Sequence, residues 1–396
     1  MNFKKLPQVF YSILFAATAS YCTAQKVDVK KQYSNAAAQM KYMLSVIDSA
    51  RTNGLSANEV SPRTADKDKI KMVGGRDWTS GFFPGELWFM YEYTGNAAWL
   101  PQAKKFTAAL KPVQYFSGTH DLGFMMYCSF GNGYRLTKDT GYRNVIIQSA
   151  KTLATRFNPK TGVIKSWDFA TDNRWKYPVI IDNMMNLELL FEATKLTGDS
   201  SFYKIAVSHA NTTIKNHYRP NYSSYHVVDY DPETGAVRQK NTAQGYSDSS
   251  SWARGQAWGL YGYTMCYRET HNPVYLKQAE HIAAYILSRL PKDMVPFWDY
   301  DAPGIPNEPM DASAAGIAAS ALYELNTYDS KKGYRKAADK MLQTLCANYL
   351  SPAKQNAGFI LIHSTGHKPA KSEIDVPIIY ADYYFLEALM RSQKMK

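Results

Sequence analysis

The feature that most constrains this chain is a unit that recurs six times, a polar start carrying an aspartate followed by a helix of small and aromatic residues. The starts are Asp77, Asp121, Asp182, Asp248, Asp311 and Asp382, spaced 44, 61, 66, 63 and 71 residues apart. Common solenoid units run to about 20–50 residues, so this longer period suits one helical hairpin plus a long loop.

Between these starts lie longer helices rich in Lys, Gln and Ala, expected at roughly 35–51, 98–111, 142–157, 200–217, 273–290 and 331–349. Each shows one apolar stripe, in the first Met40, Met43, Leu44 and Ile47. A one-sided helix lies outside, and a helix of small and aromatic residues all round lies inside. Six outer and six inner helices in alternation predict an all-α fold, an (α/α)6 barrel or six-hairpin toroid, as a single domain over residues 25–396. The chain opens with an outer helix and closes with an inner one, so its ends can pair and shut the ring. The inter-helix connections carry strand-like pieces at 163–168, 225–230 with Val237, and 358–363. Long ordered loops on a rigid scaffold are where function concentrates, and all six aspartate starts are expected at one mouth, ringed by small β-hairpins.

Residues 1–24 have a basic start and a short apolar run ending in small residues, the pattern of a cleaved signal peptide. Export, most simply to a periplasm, is the expected address. Cys22 follows Tyr21, which disfavours a lipid-anchored product, so no membrane attachment is expected. The formal charge of +12 falls by two with Lys4 and Lys5 and remains basic. The positive residues are scattered, which argues against a nucleic-acid groove and suits an anionic substrate. Cys128, Cys266 and Cys346 sit apart in apolar helical settings and make neither a disulfide framework nor a zinc site.

The expected mouth collects Trp78, Trp167, Trp252, Trp258, Tyr246, His120, His226, Gln244 and Arg254. Aromatic faces against polar donors suit a saccharide, whose C–H faces stack and whose hydroxyls take hydrogen bonds. Each Trp is equally at home in a barrel core. Arg254 suits a bidentate grip on a substrate carboxylate, or a pairing with one of the aspartates. Asp182 stands where the apolar run from Pro178 becomes a helix, and taken alone it is first a helix cap. Paired with Asp121, it offers two carboxylates for acid/base work on a glycoside. The chain has no HExxH, GxSxG, Walker or dinucleotide signature, so neither metal nor cofactor is expected. His363 and His367 flank a turn rather than a helix face.

Five strings taken together, Trp78-Thr-Ser-Gly-Phe-Phe-Pro-Gly-Glu-Leu-Trp88, His120-Asp-Leu-Gly-Phe124, Ile181-Asp-Asn-Met-Met-Asn-Leu187, His226-Val-Val-Asp-Tyr-Asp-Pro232 and the run from Gln244 to Trp258, resemble the unsaturated glucuronyl hydrolases of glycoside hydrolase family 88. The resemblance implies an (α/α)6 barrel that removes a non-reducing-end 4,5-unsaturated uronic acid from lyase-generated glycosaminoglycan oligosaccharides by hydrating C4=C5. It implies Asp182 as general acid/base and Asp121 as the second essential carboxylate. It further implies substrate contacts from His226, Gln244, Trp252 and Trp258, with Arg254 near the uronate, while Trp78, His120 and Trp167 are expected as substrate contacts from their place at the mouth. The family's sulfate-recognising pattern, paired serines followed by Lys, is only partly met by His363-Ser-Thr-Gly-His-Lys368, and Ser364 is the alternative carboxylate contact. The sister activity on unsaturated rhamnogalacturonides and a non-catalytic glycan-binding protein are the competing readings.

Overall fold

The computed structural model describes residues 26–168 and 174–395; the leading segment, with Cys22, lies outside the described residues. Twelve α-helices and seven short strands are present among them. The outer helices are α1 (Val29–Thr52), α3 (Trp99–Ala109), α5 (Thr140–Ala154), α7 (Ser200–His217), α9 (Pro273–Arg289) and α11 (Tyr334–Asn348). Five of them fall within three residues of the expected ranges, and α1 starts six residues early because Asp28 caps it, accepting the Lys31 amide.

The inner elements are α2 (Phe82–Thr94), α4 (Asn132–Thr137), α6 (Leu187–Thr197), α8 (Ala253–Thr270), α10 (Ala312–Tyr328) and α12 (Ile379–Lys394). A wide π-type stretch, Gly123–Gly131, leads into α4, and a tight 3-10 stretch, Ile181–Asn186, leads into α6. Their composition explains their place: α8 and α10 are buried nearly all round, the first with Gly255, Gly259 and Gly262 at its contacts, the second with six alanines. Side chains this small let neighbouring helices approach closely. α12 packs on α2 and closes the ring, while α1 lies outside that seam, with Tyr33 donating to Leu386 O at 2.9 Å. The centre is filled by rings such as Trp88, Trp258, Phe82 and Phe124. The fold is the expected six-hairpin toroid.

Among the described residues the connections hold three small sheets. β1 (Glu59–Asp66) and β2 (Lys69–Gly74) form a hairpin, β3 (Phe157–Asn158) pairs with β4 (Val163–Ile164), and β5 (Pro178–Ile180), β6 (Val227–Tyr230) and β7 (Val237–Asn241) form an antiparallel sheet. Two expectations need correcting. Residues 358–363 are not a strand: a 3-10 turn ends at Gly358, and only a lone bridge, Leu350 to Leu361, follows. Of the six aspartates only Asp311 caps a helix, accepting the Ser313 amide. Asp77 pairs with Arg63, Asp248 accepts from Thr242 and Asn241 in a loop, and buried Asp382 accepts the Ile360 and Leu361 amides.

Candidate active site

β5 delivers Asp182 to its position. The strand pairs with β6 so that Ile180 faces Val227, and the next amide, Ile181, donates to His226 O at 3.1 Å. The chain then tightens into the 3-10 stretch, which turns Asp182 inward beside His226. Asp182 is buried, and its Oδ2 has no hydrogen-bond partner. It therefore does not act as a helix cap, the use its sequence context first suggests. Burial pushes its carboxyl up to about 7, with Arg254 opposing the rise and Asp121 adding to it.

His226 has its tautomer set by the backbone. Its Nδ1 accepts the amides of Ala243 and Gln244, both at 3.1 Å. Two N–H donors require an unprotonated Nδ1, so the proton sits on Nε2, 3.7 Å from Asp182 Oδ2. Burial holds this imidazole well below its ordinary value, which keeps it neutral.

Asp121 arrives on the neighbouring connection. A bridge between Thr119 and Trp167, and the His120 amide donating to Ser166 O at 2.9 Å, hold that connection against the segment following β4. Asp121 Oδ2 accepts the Thr119 hydroxyl at 2.7 Å, and Oδ1 lies 3.2 Å from His120 Nε2. His120 is buried, and desolvation lowers its affinity for a proton.

Two cavities share Trp78, Trp167 and Gln244 as common walls. One, of about 370 Å³, is lined also by Arg76, Phe116, His120, Asp121, Asp182 and Arg254. The other, of about 320 Å³, is lined by Arg63, Trp175, His226, His367, Glu373 and Tyr380. Trp78 leans on Tyr380 with centroids 4.9 Å apart, and Trp167 meets Trp175 edge-on at 5.6 Å. The expected residues Asp121, Asp182, Trp78, His120, Trp167, His226, Gln244 and Arg254 thus share one cleft.

Trp252, Trp258 and Ser364, also expected as substrate contacts, lie outside the linings of both cavities. Trp252 caps α8 from behind, with His226 4.5 Å and the Arg254 guanidinium 4.5 Å from its ring. Trp258 is wholly buried among Phe124 and Tyr384, one layer beneath the cleft, because α8 continues inward from Trp252 into the ring's core. Ser364 is buried too, its backbone paired with Val376. Arg254 lines the cavity, yet most of its fork is spent within the protein. Nη1 donates to Asp311 at 2.8 Å and to Thr365 O at 2.6 Å, and Nη2 donates to Gly366 O at 2.5 Å. Only Nε–H and one Nη2 hydrogen remain for a ligand, so the full bidentate reading shrinks to that edge.

Sequence reasoning missed Arg63, Arg76, Phe116, Trp175, Glu373, Tyr380 and the cleft role of His367. Arg63 sits on the β1–β2 hairpin, whose polar strands and Pro62 give little strand signal. Arg76 lies two residues before Trp78 and Tyr380 two before Asp382, and that nearness was the available clue. His363 and His367 serve separate structural ends: the first pairs with Asp375 at 2.6 Å, the second donates to Ala243 O at 2.9 Å.

A buried carboxyl poised near neutrality, a second carboxylate and a neutral N–H donor, walled by indoles, can donate and take back one proton on a bound saccharide. Comparison with known proteins sets the chain among glycoside hydrolases. The family model described as Glycosyl Hydrolase Family 88 matches residues 55–391. An unsaturated glucuronyl hydrolase of Formosa agariphila is 47% identical over 380 residues, 94% of each chain. An unsaturated chondroitin disaccharide hydrolase of Streptococcus pyogenes is 34% identical, covering 84% of this chain and 86% of that one. A solved unsaturated glucuronyl hydrolase specific for heparin superposes with a TM-score of 0.86 at 46% identity, covering 93% of this chain and 97% of the other.

Proposed function

The chain belongs to glycosyl hydrolase family 88, and from that membership we propose that it is an unsaturated glucuronyl hydrolase, cleaving the non-reducing-end 4,5-unsaturated uronic acid from glycosaminoglycan oligosaccharides. Asp182, protonated, donates to C4 of the C4=C5 bond. The resulting carboxylate takes a proton from the water that adds at C5, so Asp182 ends as it began. The C5 hemiketal then opens and the neighbouring sugar leaves from C1. Asp121 orients the sugar and, by its charge, helps keep Asp182 protonated. The neutral Nε2–H of His226 faces Asp182 and steadies its carboxylate form.

The observation that carries this reading is Asp182 itself: a buried carboxyl pushed up to about 7, inside an indole-walled cavity with a second carboxylate. An acid that must protonate carbon near neutral pH needs such a value, and water would hold it far lower. The Trp78 and Trp167 walls and Gln244 serve ring stacking and hydroxyl contacts. Export to the periplasm, proposed from residues 1–24, would place the enzyme where lyase products enter the cell.

The test is loss of the enoate absorbance when the purified protein meets lyase digests of heparin, chondroitin and hyaluronan, with an unsaturated galacturonyl-rhamnose disaccharide run alongside. Turnover of a glycosaminoglycan digest supports the reading. Turnover of the pectin-derived substrate alone would move the chain to the sister activity, and binding without turnover would make it a glycan-binding protein.

A further inference from the structure

The cleft's cations differ in what they have left to give. Arg63 is held by two acids, Asp77 at 2.8 Å and Glu373 at 2.5 Å. Arg254 is paired with Asp311 and with two carbonyls. Lys368, the lysine of the partly matched sulfate-recognising run, lines neither cavity, is tied to Glu308 and lies over Trp298 at 5.1 Å. His226 and His367 are both kept neutral by burial. Arg63 and Lys368 are thus neutralised by the protein's own acids, and Arg254 is left with one edge, its Nε–H and one Nη2 hydrogen.

Arg76 is the exception. It lines the same 370 Å³ cavity as Asp121 and Asp182, and among the described residues it has no carboxylate partner. Its sequence neighbour Asp77 also lines this cavity, but its carboxylate is committed elsewhere, accepting from Arg63, the Thr79 amide at 2.9 Å and the Thr79 hydroxyl at 2.7 Å. What positions Arg76 is an aromatic face: its guanidinium sits 4.9 Å from the centroid of Phe116. A cation resting over a ring keeps N–H groups free for a ligand while the contact biases its position. Of the three carboxylates lining the cavity Asp77 is already paired with Arg63, so beside Asp121 and Asp182 the Arg76 guanidinium, without an ion pair among the described residues, marks where an oxyanion can enter.

We propose that Arg76 is the specificity-determining residue that receives an oxyanion of the substrate, the uronate carboxylate or a sulfate ester, in place of the lysine that Glu308 neutralises. The inference rests on the glycosidase reading above. Both sources offer paired oxygens to the planar fork, and they are separable because every substrate carries the carboxylate while only some carry sulfate.

The experiment compares wild type, Arg76→Gln, Arg76→Lys and, as a control of equal charge change on outer helix α3, Lys104→Gln. Steady-state kinetics are run on unsulfated and sulfated unsaturated disaccharides, with melting curves for each variant. Arg76→Gln is expected to raise KM roughly tenfold, the worth of one charge-assisted hydrogen bond, with kcat far less affected, while Arg76→Lys recovers part of the loss and Lys104→Gln none of the effect. A rise on every substrate assigns the carboxylate, and a rise on sulfated substrates alone assigns the sulfate. Unchanged KM for Arg76→Gln on all substrates, or an equal change in Lys104→Gln, overturns the inference. If the wild type turns over no unsaturated uronide, the proposed function falls instead.

Discussion

The side-chain carbonyl of Asn186 accepts the Phe124 amide at 2.9 Å, and that bond ties the helix behind Asp121 to the stretch that carries Asp182. The approach is close because Gly123 has no side chain: a Cβ there would sit 2.5 Å from both Cα and Oδ1 of Asn186. The separation of the two carboxylates is thus set by a backbone contact.

Gly123→Ala is expected to break that contact. Overpacking of this kind costs about 1–3 kcal/mol, and since Asn186 backbone cannot yield, the shift falls on the two acid-bearing segments. The variant should melt lower and lose most of its kcat. A melting point and kcat equal to wild type would mean that the segments slide freely and that their spacing is set elsewhere.

Asp182→Asn should keep the shape and polarity of the pocket while removing the proton donor. General acid/base groups contribute about 10²–10⁴-fold, so kcat should fall by that order while calorimetry still detects binding of an unsaturated disaccharide. Asp121→Asn should also lower kcat severely. Retention of more than about a tenth of wild-type kcat by Asp182→Asn would remove it from the acid/base role.

The pH dependence has two parts. Because Asp182 is pushed up to about 7 and acts first as an acid, the rate should decline above roughly that pH, in step with loss of its proton. Stability follows the same sign. Asp382, which burial pushes up to about 8 against the two amides it accepts, holds its proton more tightly folded than unfolded. Its contribution is therefore complete below the ordinary aspartate value near ~4 and is lost as pH rises through about 8. Melting temperature should fall across that window, and Asp382→Asn, though less stable overall, should show a flatter decline. An unchanged slope would show that other groups set it.

Arg254→Met should be chiefly a stability lesion. It leaves Asp311 buried without its cation and Thr365 O without that donor, while Gly366 O keeps Gln244, and breaking a buried pair this way typically costs about 3–5 kcal/mol. Chemical denaturation would read the loss. Arg254→Lys should retain the charge but fill fewer of the three bonds, so both melting temperature and KM should suffer. A Met variant as stable as wild type would show that Arg254 is held for substrate alone.

How much of this was legible in the chain divides along a physical line. The alternation of striped and all-round apolar helices determined the toroid, because that pattern depends only on which faces must leave water, and neighbouring residues decide it. The same local grammar put Asp182 and Asp121 at the starts of inner elements. What each aspartate does was not legible. A cap, an ion pair and an acid poised near neutrality use the same residue in similar strings, and the difference lies in partners brought from far along the chain: His226 across the β5–β6 register for Asp182, Arg63 for Asp77, and the Ile360 and Leu361 amides for Asp382. Trp258 reads like Trp78 in sequence, yet one lies under the cleft and the other walls it, since that depends on how far each helix has entered the ring. Arg254 and Arg76 are the sharpest case. Sequence favours the first as the free cation, and only the tertiary structure, by placing Asp311 and two carbonyls against it and Phe116 against the other, left Arg254 a single free edge and Arg76 without an ion pair among the described residues.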